Sequence, residues 1–62
     1  MRKFVTHQGD IAKVSRTRTK PYKYKVKFTF RGGVHLAVEG LEESDVGGVL
    51  NKHGDLWIEK AI

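Results

Sequence analysis

The chain has no cysteine, so neither a disulfide nor a thiolate metal site can staple its 62 residues. That absence suits a reducing compartment, and the sequence is read as cytoplasmic. There is one proline, and no apolar run approaches the ~20 residues that cross a bilayer, so no membrane partner is expected. Met1, Arg2 and Lys3 give a basic start with no apolar stretch behind it, unlike a signal peptide. Acid is scarce in the first half. Residues 1–31 hold ten Lys or Arg and one acid, Asp10, for a net +9; residues 32–62 hold two basic residues and six acids, for a net −4. Such a split points to a polyanion partner, or to two surfaces of opposite sign. The length allows one domain, 1–62, with a small core. A core that small leaves room for a homodimer in which the basic half of one chain meets the acidic half of another.

What is present is a long alternation. Tyr22, Tyr24, Val26, Phe28 and Phe30 alternate with Lys23, Lys25, Lys27 and Thr29. A period of two gives a strand with one dry face and one wet face. Arg31, Gly32 and Gly33 then separate it from a second apolar run, Val34 to Val38, which is a hairpin signal. A two-residue Gly32-Gly33 loop would set Thr29 opposite Leu36 and mix the faces. A three-residue loop pairs Phe30 with Val34, Phe28 with Leu36 and Val26 with Val38, so the apolar residues share one face. Gly33 then takes the positive φ that closes a type I turn. The same register sets Lys25 opposite Glu39.

Residues 3–7 and 11–15 are short β-prone runs about a turn at Gln8, Gly9 and Asp10, consistent with a small hairpin. Residues 15–21 form a basic loop or extended edge, with Pro21 leading into the long strand. Leu41, Val46, Val49, Leu50 and His53 approximate one helical stripe, capped by Gly40 or Ser44 and stopped by Gly54. Gly47 and Gly48 each cost about 1 kcal/mol in a helix, so the sheet must hold it, and their small size would let it approach closely. Residues 56–61 read as a last strand, with Leu56, Ile58 and Ile62 on the dry face and Trp57, Glu59 and Ala61 on the wet one. A right-handed crossover would bring it parallel to residues 22–30. The expected fold is a small α+β domain. Its antiparallel sheet has the hairpin 22–39 at its centre, a helix at about 41–53 on one face, and a C-terminal strand at about 56–61. The expected core is Phe4, Tyr24, Val26, Phe28, Phe30, Val34, Leu36, Val38, Leu41, Val46, Val49, Leu50, Leu56 and Ile58.

Enzyme chemistry finds no foothold in the sequence, and no cofactor or metal is expected. His7, His35 and His53 lack cysteine partners and helical ligand spacing. Ser15 and Ser44 lack a nucleophile elbow. Arg31-Gly32-Gly33 is not a phosphate loop, and Gly47-Gly48 is not a dinucleotide fingerprint. Glu42, Glu43 and Asp45 suit a first helical turn more simply than an acid–base pair.

The basic segment stands above this background. Arg16, Arg18, Lys20, Lys23, Lys25, Lys27 and Arg31 could neutralise several phosphates of DNA or RNA, with little sequence specificity, and Trp57 on the same face could stack on a base. The plainer readings are a sheet face kept soluble by lysines and a tryptophan that completes the core. The alternative function is a protein-binding module anchored by Trp57 or an open sheet edge. A sheet followed by one helix resembles the arm-type DNA-binding domains of tyrosine integrases, from which the final strand departs. Hairpin, helix and strand in this order resemble small phage proteins that bind and inhibit host enzymes, and imply a host protein as partner.

Overall fold

The computed structural model describes residues 2–54 and 56–60. Its strands are β1 (Arg2–Val5), β2 (Ile11–Arg16), β3 (Tyr24–Phe30), β4 (Val34–Leu41) and β5 (Ile58–Lys60). One short helix, α1 (Val46–Lys52), follows a single 3-10 turn at Glu43–Asp45. The five strands make one antiparallel sheet in the order β4-β3-β2-β1-β5, the small α+β architecture expected from the sequence.

Each connection has a local cause. The β1–β2 turn is tied by Thr6: its backbone N–H donates to the Asp10 carbonyl at 3.1 Å and its hydroxyl accepts the Asp10 N–H at 3.2 Å. The loop from β2 to β3 is pinned by Thr17, whose N–H donates to the Lys23 carbonyl at 2.9 Å and whose hydroxyl accepts the Lys23 N–H at 3.1 Å. Strand β2 runs to Arg16, so the basic loop spans 17–23 rather than 15–21, and β3 begins at Tyr24 rather than Tyr22.

The β3–β4 register is the one argued from the faces: Phe30 pairs with Val34, Phe28 with Leu36 and Val26 with Val38. The turn type differs from expectation. Gly32 as well as Gly33 has positive φ, at 92° and 86°, and the Gly33 N–H donates to the Phe30 carbonyl at 3.1 Å. Positive φ at the third residue of a closed four-residue turn is the mark of type II, not type I. At the far end, Gly40 at φ 71° accompanies a bulge that lets Leu41 pair with Tyr24. Leu41 thus belongs to the sheet, and the helix starts later than position 41. Glu42 precedes the 3-10 turn, its N–H 3.4 Å from Asp45 Oδ2, so neither Gly40 nor Ser44 is the cap.

All buried side chains among the described residues lie on the helix side of the sheet or on α1 itself: Phe4, Ala12, Val14, Val26, Phe28, Val46 and Leu50. Tyr24, Phe30, Val38, Leu41, Val49 and Trp57 pack around them half-buried. Ala12 and Val14 were not among the expected core residues; they pair with Phe28 and Val26, which settles their face. Val34, Leu36, Leu56 and Ile58 were expected in the core and are exposed: Val34 and Leu36 lie on the margin that the short α1 does not cover, Leu56 precedes β5, and Ile58 is on the opposite face of the sheet. Gly47 and Gly48 face open space, so they do not serve close packing. Gly54 does: a Cβ there would stand 3.0 Å from the Trp57 indole.

The last strand departs most from expectation. It lies antiparallel beside β1, with Val5 opposite Ile58 and Phe4 opposite Glu59, not parallel beside β3. The meander already occupies both edges of β3, so the returning chain finds a free edge only at β1 or β4. Its faces are also reversed. Leu56, at φ 57°, is outside the strand, Trp57 turns into the core, and Ile58 faces away from the helix. The expected placements of Ala61 and Ile62 fall outside the described residues.

Candidate nucleic-acid interface

The sheet's other face has no layer over it among the described residues. Residues directly opposed in a sheet share a face. Lys60 is opposite Lys3, Lys3 opposite Lys13, and Lys13 opposite Lys27. Four lysines therefore stand abreast across β5, β1, β2 and β3 and end at Ala37 on β4. Strands lie about 4.8 Å apart, so the row spans about 14 Å. Among the described residues none of these lysines has a carboxylate within ion-pairing distance. Like charges directly opposed destabilise a sheet.

The neighbouring rows set its surroundings. On one side run Ile58, Val5, Ile11, Thr29 and His35. On the other lie Ser15 and Lys25, and Lys25 Nζ is 3.3 Å from Glu39 Oε1, as the register predicted. The open face thus presents five lysines against Glu39, bordered by a short apolar strip.

Of the residues singled out in the sequence, Lys25 and Lys27 lie on this face. Lys23 pairs with Glu42 outside the strand. Arg16 is opposite Tyr24, on the helix side, with its guanidinium carbon 4.1 Å from the Tyr22 ring centroid. Arg18 and Lys20 are exposed on the loop beyond the Lys25 end. Arg31 is at the opposite end, where its N–H donates to Asp10 Oδ1 at 2.9 Å. The seven basic residues thus do not form one cluster.

Trp57 does not join the lysines. It is half-buried on the helix side, its Nε1–H donates to the Leu50 carbonyl at 2.8 Å, and its ring centroid is 5.8 Å from that of Phe28. The Leu50 carbonyl also accepts the His53 N–H at 3.2 Å, so the indole adds a second donor there and ties the chain after the helix to the core. Stacking on a base from the lysine face is ruled out for this conformation.

Lys3, Lys13 and Lys60 were missed. Folding residues 3–13 about Gln8 sets Lys3 opposite Lys13, so that pair was within reach of sequence reasoning; Lys60 required the β1–β5 pairing. Arg2, by contrast, is on the helix side, held by Glu59 through two hydrogen bonds at 2.8 and 3.0 Å. This pairing raises the Arg2 pKa and holds the Glu59 carboxyl below the usual carboxylate range.

A shallow cleft of about 440 Å³ lies at the turn end, lined by Thr6, His7, Asp10, Phe30, His53 and Leu56. Among the described residues no group of three His, Cys, Asp or Glu could hold a metal ion. No helix is long and apolar enough to cross a membrane. Comparison with protein-family models, curated proteins and solved structures finds no match.

Proposed function

We propose that the protein binds the phosphate backbone of nucleic acid through the open sheet face, using Lys60, Lys3, Lys13 and Lys27 as its central row. The observation that carries this reading is the set of three like-charge pairs in a line across adjacent strands. A polyanion turns that repulsion into attraction and releases counterions. Lys25 and the loop cations Arg18 and Lys20 extend the surface toward one end. The face carries no Asn, Gln or Arg to read base edges, so recognition rests on backbone charge and is insensitive to sequence.

Fluorescence anisotropy with labelled duplex and single-stranded oligonucleotides over a salt series tests this. Four phosphate contacts give a log–log slope of about −3.6 on duplex and about −2.8 on single strands. Lys13→Glu separates function from fold. It places a carboxylate between Lys3 and Lys27, so stability rises by roughly 0.2–1 kcal/mol per pair while affinity falls. Replacing Arg18 and Lys20 by Gln lowers affinity less. Absence of binding at low ionic strength from a folded sample overturns the proposal, and a stoichiometric protein that survives nuclease treatment of a pull-down then takes its place.

A further inference from the structure

The two edges of the sheet are built differently. Strand β5 has three residues, two of them charged, Glu59 and Lys60. Strand β4 has eight, and Val34 to Val38 includes no Lys, Glu, Asp or Pro. Its bulge lies beyond this stretch, toward Gly40. Natural sheets protect long edges with charge, proline or bulges, and this stretch has none. Val34 and Leu36 are 60% and 37% exposed on the helix side of the same edge.

We propose that β4 is an interface for a second copy of this chain, paired antiparallel about a two-fold axis at Ala37. Pairing must keep the faces, so the axis has to pass through a residue and not between two. An axis at Ala37 sets Leu36 against Val38 of the other copy on the helix side. On the open side it sets His35 against Glu39, and at the end Val34 against Gly40. An axis at Leu36 or Val38 leaves Glu39 facing Gly33 or Ala37, with no polar side chain opposite. Of these three registers, only that at Ala37 matches apolar residues on one side and gives Glu39 a hydrogen-bonding side chain on the other, in the self-complementary manner of an isologous contact. Within one copy Thr29 Oγ1 is 3.4 Å from His35 Nδ1, and Glu39 Oε1 is 3.3 Å from Lys25 Nζ. The two lysine rows each end at Ala37, so this dimer joins them into one continuous line across a ten-stranded sheet.

Sedimentation from about 1 µM to about 1 mM reads the association directly. The expected result is a doubling of mass with rising concentration. Leu36→Lys and Glu39→Lys each return the monomer, and both positions are exposed, so circular dichroism stays native. Combining His35→Glu with Glu39→Lys reverses the charges and restores the dimer. A folded wild-type monomer at every concentration overturns the proposal and leaves the edge to an extended peptide of another protein. A dimer indifferent to Leu36→Lys and Glu39→Lys overturns it equally. Neither outcome depends on nucleic acid, so the association stands or falls apart from the function proposed above.

Discussion

Phe28 and Lys27 are neighbours in β3, yet they lie on two faces with opposite tasks. The helix side gathers the apolar residues of four strands under α1, and Phe28 at its centre stacks on Phe30 at 5.5 Å and meets His53 and Trp57 at 5.1 and 5.8 Å. The open side gathers lysines of four strands with no layer above them among the described residues. One face is apolar and shielded by the helix, the other is charged and open to water. The difference teaches that in a domain this small each face can be altered almost independently of the other.

The sharpest way to break the contrast is to cut both faces at the same strand. Phe28→Ala removes a fully buried ring and costs about 3–5 kcal/mol, comparable to the whole stability of a small domain. Lys27→Ala, one residue away, changes stability by less than about 0.5 kcal/mol in thermal denaturation. Equal losses from the two would erase the distinction.

The helix layer has its own tight and open sides. Gly54→Ala drives a methyl against the Trp57 indole, so it costs about 1–3 kcal/mol and shifts the tryptophan emission. Gly48→Ala meets open space in the middle of α1 and stabilises by about 1 kcal/mol, seen as a higher Tm. The smallest effect belongs to the Arg2–Glu59 pair. The Glu59 carboxyl is held below the usual range in the folded state, so its contribution is present above that range. It is lost as pH falls through the folded-state value. The protection of β5 amides, taken relative to their intrinsic exchange rate at each pH, then falls on acidification, and Arg2→Gln removes that dependence.

Which parts could be read in advance follows from the same contrast. From Tyr24 to Val38 the large apolar residues fall in phase, so alternation and turn length together fix the register. In β2 the sequence Ile11-Ala12-Lys13-Val14 puts two apolar residues side by side, and only pairing with β3 decides that Ala12 and Val14 are core. The same pairing decides that Lys13 faces out. The basic residues found in the sequence were found by proximity along the chain, whereas the lysine row is assembled across strands. Trp57 and Glu59 do fall on one side and Ile58 on the other, as alternation predicts, but the side that faces α1 is that of Trp57, which only the pairing of β5 with β1 decides. The right-handed crossover rule placed the last strand parallel beside β3, with no regard for edges already filled.

The position of β5 has a consequence for how the molecule assembles. Strands β1 to β4 follow one another through short turns, so their contacts are local and form quickly. Contact between β1 and β5 closes a loop of nearly the entire chain, and that closure is entropically the most expensive in the fold. Strand β5 is also the shortest and has no buried side chain. It therefore joins the sheet after the meander has formed and is the first strand to leave it. Lys60 arrives with it, so an anion that bridges Lys60 and Lys3 acts as a latch on the terminal strand, slowing its departure.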